Sequence, residues 1–210
     1  MLKRFLIGIL LVCIVFSISS CTGNDTTTTT SGDPTPTTDP NDTPTQLAPE
    51  LFASFEAFEQ HEKGLGEKAL SHYFVPAELS DEYKFFNITK RENVYVAVHY
   101  KTTGKISSSE KLNSYELERL STLICKYQLL STDPQYTIEK SYIPNGYKAF
   151  EHKGKTYYRH DEYSIDNPDR LLGYGIVFTV DDCLIYMHLP AIDTFENMMQ
   201  LANLQKVTIK

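Results

Sequence analysis

Apolar residues fall along this chain in three successive patterns. Residues 5–16 are an apolar run interrupted only by Gly8 and Cys13. Residues 22–49 show no apolar periodicity. From Leu51 onward, apolar positions recur with helical or strand spacing. Leu51, Phe52, Phe55 and Phe58, with Glu56, Glu59 and Gln60 between them, predict an amphipathic helix ending near Gly64. Residues 83–90 and 94–101 are rich in aromatic and β-branched side chains and predict a hairpin about Arg91-Glu92-Asn93. Ser108 or Ser109 is expected to cap a long middle helix with Leu112, Tyr115, Leu120, Leu123, Ile124, Tyr127 and Leu130 as its stripe, stopping before Pro134. A strand over 136–143 follows, closed by Pro144-Asn145-Gly146. Two more hairpins are expected, 147–152 with 155–163 and 173–180 with 183–189. A C-terminal helix opened by Asp193, with Glu196 completing a capping box, carries Phe195, Met198, Leu201, Ala202 and Leu204. Hairpins bracketed by helices, with few βαβ signatures, predict an α+β domain. Its mainly antiparallel sheet packs against N-terminal, middle and C-terminal helices.

The first two patterns set an address. Lys3 and Arg4 precede the apolar run, and Ser17, Ile18, Ser19, Ser20 and Cys21 follow it. A charged start, a short apolar run and small residues describe a secretory signal, and the run is short for a membrane span. Ile18-Ser19-Ser20-Cys21 resembles the bacterial lipobox. That resemblance implies cleavage before Cys21 and a thioether-linked diacylglycerol on its sulfur. It places the chain on the extracytoplasmic face of a cell membrane, with the membrane as partner through Cys21. Beyond it, Thr26 to Thr30 run unbroken, and Pro34, Pro36, Pro40 and Pro44 are set among Thr, Asp, Asn and Gly. Such a segment buries too little surface to offset its ordering entropy, and its prolines favour an extended tether of roughly 3 Å per residue. The expected organisation is a signal peptide over 1–20, a lipidated Cys and linker over 21–49, and one globular domain over 50–210.

Charge narrows the partners. The chain holds 20 basic and 27 acidic residues; without Lys3 and Arg4 the basic count is 18, a net of −9. That balance argues against nucleic acid and against an anionic lipid surface. Two cysteines remain in the domain, Cys125 and Cys183. Outside the cell they can form a disulfide, and the alternative is two separate buried thiols.

Catalytic and metal chemistry find little support in the residue spacing. His152 and His160 flank a turn at Lys153-Gly154; in that register they lie about 16 Å apart and cannot share a metal. The histidines therefore read as surface residues, and no metal or other cofactor is expected. Asp161-Glu162 and Asp181-Asp182 are adjacent pairs, and neighbours on a strand point to opposite faces, which makes poor acid–base couples. Ser108-Ser109-Glu110-Lys111 spells the Ser-x-x-Lys of penicillin-interacting enzymes, with Ser108 as nucleophile and Lys111 as its activator, but Lys-Thr-Gly is missing and Lys101-Thr102-Thr103-Gly104 has an extra residue. All 14 Tyr lie in the domain, as strand residues or as a face for a sugar or peptide.

Pro76 with Glu82-Tyr83-Lys84, the hairpin over 174–186 about Asp181-Asp182, and a closing helix with Phe195, Leu201 and Ala202 resemble a family of uncharacterised extracytoplasmic domains of Firmicutes envelope proteins. Ser80-Asp81-Glu82 replaces that family's glycine turn, and Cys183 stands where Gly is usual. The resemblance implies a cell-surface setting and supplies no catalytic residues. The expected function is a non-catalytic binding or sensing module for a protein, peptide or glycan. The alternative is a small envelope hydrolase using Ser108 and Lys111.

Overall fold

The computed structural model describes residues 48–104, 106, 111–129 and 132–210. The expected signal peptide, Cys21, the linker and Ser108 lie outside the described residues.

An eight-stranded sheet organises the domain, in the order β1-β3-β4-β5-β9-β8-β7-β6. Its strands are β1 (Glu50–Phe52), β3 (Tyr83–Arg91), β4 (Tyr95–Thr102), β5 (Thr122–Gln128), β6 (Lys148–His152), β7 (Lys155–Tyr163), β8 (Leu171–Val180) and β9 (Cys183–Pro190). Every pairing is antiparallel. A separate ribbon pairs β2 (His72–Pro76) with β10 (Leu204–Thr208). Four helices complete the fold: α1 (Phe55–Gly64), α2 (Ser114–Ser121), α3 (Pro134–Thr137) and α4 (Phe195–Met198). The domain is α+β.

Strand alternation divides the side chains between two faces. The inner face packs Ile88, Val98, Leu123, Ile176, Met187 and Leu189 against Phe58 of α1, Phe74 of β2 and Met198 of α4. The outer face buries Val177 and Leu184 under Ile138, which follows α3. Central strands buried on both faces read as continuous apolar runs, as Leu184-Ile185-Tyr186-Met187 does.

The three expected hairpins form. His152 pairs with Lys155 about the Lys153-Gly154 turn, and the His160 ring stacks on Tyr147 with centroids 5.3 Å apart. The turn at Asp181-Asp182 holds both residues at positive φ, 47° and 60°, without a glycine; Asp tolerates this through its short polar side chain.

Four expectations are corrected. Leu51 and Phe52 belong to strand β1, and α1 starts at Phe55, because Ser54 caps it through the Ala57 amide. The long middle helix is one short helix and one strand. Asn113 caps α2 in a reciprocal box with Glu116, and the chain turns extended at Thr122. Leu120, Leu123, Ile124 and Tyr127 satisfy helical spacing, but 122–128 is a central strand with Leu123 and Cys125 buried on the inner face and Ile124, Lys126 and Gln128 half-buried on the outer, and such a run fits either period. Residues 136–143 are helical rather than extended. Asp133 caps α3 with Pro134 at its first position, and a π-helical turn follows over Ile138–Tyr142. The Asp-Pro pair is a helix start, where it was read as a stop. The C-terminal helix lasts one turn, capped by Thr194, before a 3₁₀ turn leads into β10. Asp193 instead accepts from the Thr194 amide and Asn197 Nδ2, so no Asp193–Glu196 box forms.

Candidate functional site

Among the described residues, buried charge gathers at Glu116 of α2, which accepts from Ser164 Oγ and Arg170 Nη1, and at two further places. The first is on the outer face, under α2. Glu162 of β7 points there, while its neighbour Asp161 points to the inner face. Arg119, near the end of α2, donates from Nη2 to Glu162 Oε2. Tyr186 of β9 donates its hydroxyl to Glu162 Oε1 at 3.1 Å. His188, fully buried on β9, donates from Nε2 to the Arg119 carbonyl at 2.8 Å. A carbonyl only accepts, so Nε2 carries a hydrogen. His188 Nδ1 lies 3.2 Å from Glu162 Oε2.

Space for this cluster comes from Gly173 and Gly175 on β8. A Cβ on Gly173 would sit 2.9 Å from the Leu189 carbonyl and far inside contact distance of the His188 ring. One on Gly175 would sit 2.9 Å from the Tyr147 hydroxyl and 3.0 Å from Glu162 Oε1. Burial alone raises the Glu162 pKa; the His188 contact and then the Arg119 guanidinium outweigh it and bring the carboxyl down to about 2. Burial raises the Tyr186 hydroxyl, and the Glu162 charge adds to that. Both Glu162 oxygens are thus committed to protein donors.

The second place is on the inner face, where Lys90 of β3 gives Nζ to Glu62 Oε1 of α1 at 2.5 Å. Glu62 Oε2 accepts the Leu70 amide at 2.9 Å. Their side chains are 7% and 0% exposed.

A third feature lies at the far edge of the sheet. β6 ends at Lys148, opposite Arg159, while β7 continues to Tyr163 against β8. Among the described residues, 160–163 therefore have no outer strand. A cleft of about 710 Å³ opens beside them, with Phe150, Arg159, Asp161, Tyr163, Phe195 and Glu196 in its wall. Asp161 holds Arg159 bidentately, Nε to Oδ1 at 2.5 Å and Nη2 to Oδ2 at 3.0 Å. The guanidinium stands 3.8 Å over the Phe195 ring and 4.7 Å over Tyr174. Phe150 meets Phe195 edge-on at 5.3 Å. The wall is rigid, aromatic and rimmed by charge, the composition of a recognition surface.

The sequence-predicted candidates are scattered. Lys111 is exposed and precedes α2, whose first residue is Ser114. Cys125 and Cys183 are free thiols and form no bridge. Cys125 faces Met187, four residues along β9 from Cys183. The Cys125 thiol is buried beside the Phe74 carbonyl, and burial pushes its pKa up to about 12. Most tyrosines are structural, with Tyr73, Tyr83, Tyr100, Tyr157 and Tyr174 in the core, while Tyr115, Tyr136 and Tyr163 are exposed. Sequence reasoning missed Glu62, Lys90, Arg119 and His188. The signal was present for two of them: Glu62 shares a helical stripe with Phe55 and Phe58, and Lys90 shares a strand face with Ile88. Among the described residues no His, Cys, Asp and Glu side chains group as metal ligands, and none of the helices is long and apolar enough to cross a membrane.

Comparison with known proteins finds no family model, no curated protein and no solved structure that matches the chain.

Proposed function

We propose that this chain is a lipid-anchored, extracytoplasmic binding module without catalytic activity. Its ligand is an extended peptide that adds to the open edge of β7. The observation that carries the reading is the mismatch in strand length: β6 stops opposite Arg159 while β7 runs on to Tyr163 beside the aromatic cleft. An open edge offers backbone donors and acceptors to an incoming strand, and adjacent pockets select its side chains. Tyr163, half exposed, and Phe195 supply contact area on rigid aromatic frames. The charged pair Arg159–Asp161 keeps the edge from pairing indiscriminately. Anchoring rests on Lys3, Arg4, the apolar run over 5–16 and Ile18-Ser19-Ser20-Cys21. Two acyl chains hold a protein stably where one does not.

Selection of a random peptide library on the immobilised domain tests the ligand. Binders should lose roughly tenfold or more in affinity on Tyr163→Ala and should fail when their backbone amides are methylated. Binders insensitive to both changes, or binding of glycans alone, would reject the peptide reading. Cys21→Ala should shift the protein out of the membrane fraction or leave an uncleaved precursor; unchanged attachment and mobility would reject the anchor.

A further inference from the structure

The Lys90–Glu62 pair breaks the pattern of both elements that carry it. Glu62 stands in the apolar phase of α1, and Lys90 in the apolar phase of β3. A buried ion pair is a poor source of stability, since well-packed apolar residues usually serve as well or better. Local rules broken twice at one point in space mark a functional position. A cavity of about 350 Å³ lies at that point, with Lys90 in its wall. Small-molecule sites begin at about this size.

The lining divides by chemistry. Leu65, Leu70 and Leu129 give one aliphatic side. Glu50 is occupied by His61, Nε2 to Oε2 at 3.1 Å. Lys68 and Glu92, both exposed at the rim, have no ion-pair partner among the described residues. Lys90 is nine-tenths buried, and its ammonium gives one of its three donors to Glu62. Glu62 has both oxygens in use, so it does not compete for a ligand's cation. What remains is a buried cationic donor, one free cation and one free anion, beside an aliphatic wall.

We infer that this cavity binds a small aliphatic α-amino acid as its zwitterion. The ligand carboxylate meets Lys90 and Lys68, its ammonium meets Glu92, and its side chain packs on Leu65, Leu70 and Leu129. A simple anion would leave Glu92 facing it, and a simple amine would face Lys68 and Lys90. Only a ligand carrying both charges matches the lining. This site lies at the β1–β3 end of the sheet, away from the β7 edge, and does not depend on the peptide reading.

The test is titration of the isotope-labelled full chain by NMR with glycine, alanine, valine and leucine. 4-Methylpentanoate and 3-methylbutylamine serve as halves of leucine lacking the amine or the carboxylate. At least one of the larger amino acids should shift Leu65, Lys68, Lys90 and Leu129 saturably at roughly millimolar concentration, and each half-ligand should bind at least roughly tenfold more weakly. Lys68→Met and Glu92→Gln are surface changes that leave the fold intact, and each should weaken binding by roughly tenfold. Lys90→Met should abolish it. Tyr163→Ala should leave it unchanged while removing peptide binding, so the two sites fail separately. The inference is overturned by no saturable shift with any of the amino acids, by shifts confined to other regions, or by a half-ligand that binds as tightly as leucine.

Discussion

On the outer face, Arg119, Glu162, Tyr186 and His188 turn toward one another, and two glycines on β8 clear the room they occupy. On the inner face, Lys90 and Glu62 meet with no such clearance and with a cavity beside them. Both groups are charged, the inner pair buried and the outer ion pair partly exposed, and both bear a desolvation cost. They differ in what their polar atoms do next. Each Glu162 oxygen has a protein donor, while Arg119 Nε and His188 Nδ1 have no hydrogen-bond partner. The Lys90 ammonium keeps donors to spare, so the inner pair is complete only for its carboxylate. The outer cluster fixes the position of α2 over the sheet; the inner pair, with a cavity beside it, is suited to receive something. Burial of charge alone therefore does not separate a structural role from a binding role. A cavity beside the spare donors does.

The largest effect should come from breaking the outer cluster. Glu162→Leu leaves Arg119 and His188 buried without their carboxylate, and urea unfolding should show a loss of about 3–5 kcal/mol. The same change should alter the pH dependence. The folded-state pKa of Glu162 is depressed to about 2 from an ordinary 4.5. Its contribution is therefore present above about pH 4.5 and is lost as pH falls from there through about 2. One pKa unit corresponds to about 1.4 kcal/mol, so this acid limb amounts to about 3 kcal/mol and should flatten in the variant. An unchanged limb would mean that the carboxylate is not held by its two basic neighbours.

A smaller effect should follow from filling the space rather than emptying it. Gly173→Ala places a methyl against the His188 ring and 2.9 Å from the Leu189 carbonyl. Neither the buried ring nor the paired strand gives way easily, so a loss of about 1–3 kcal/mol is expected by thermal or urea unfolding. A neutral result would show that His188 has another rotamer open to it, and that the outer cluster is less tightly packed than its contacts indicate.

Legibility in the sequence followed how local each feature is. The hairpins at Lys153-Gly154 and Asp181-Asp182 could be read because turn residues and alternating flanks lie within a few positions of each other. The strand over 122–128 could not, because it is placed by pairing with β4 and β9, segments distant in sequence, and Leu123, Ile124 and Tyr127 also fit a helix. The pairing of β2 with β10 joins residues 72–76 to 204–208 and leaves no local trace. The clusters divide the same way. Glu62 and Lys90 each interrupt an apolar phase, a mark visible in one dimension. Arg119, Glu162 and His188 come from three elements, and Gly173 and Gly175 signal only that something approaches β8 closely. Glu162 was set aside as half of an adjacent acidic pair; its true partners are 43 and 26 positions away in sequence.

The smallest effect should be the most discriminating. Replacing the inner pair by apolar residues, Glu62→Leu with Lys90→Met, restores the interrupted stripes of α1 and β3 and removes two buried charges together. Because neither partner is left stranded, stability should stay within about 1 kcal/mol of the parent or rise. The Leu70 amide loses its acceptor, which sets the unfavourable side of that range. The outer cluster offers no equivalent exchange, since removing Arg119 and Glu162 still leaves the His188 ring and the Tyr186 hydroxyl facing apolar replacements. A double variant as stable as the parent would show that Lys90 and Glu62 are kept for something other than folding. A loss like that of Glu162→Leu would make the two clusters alike, and the distinction between them would fall.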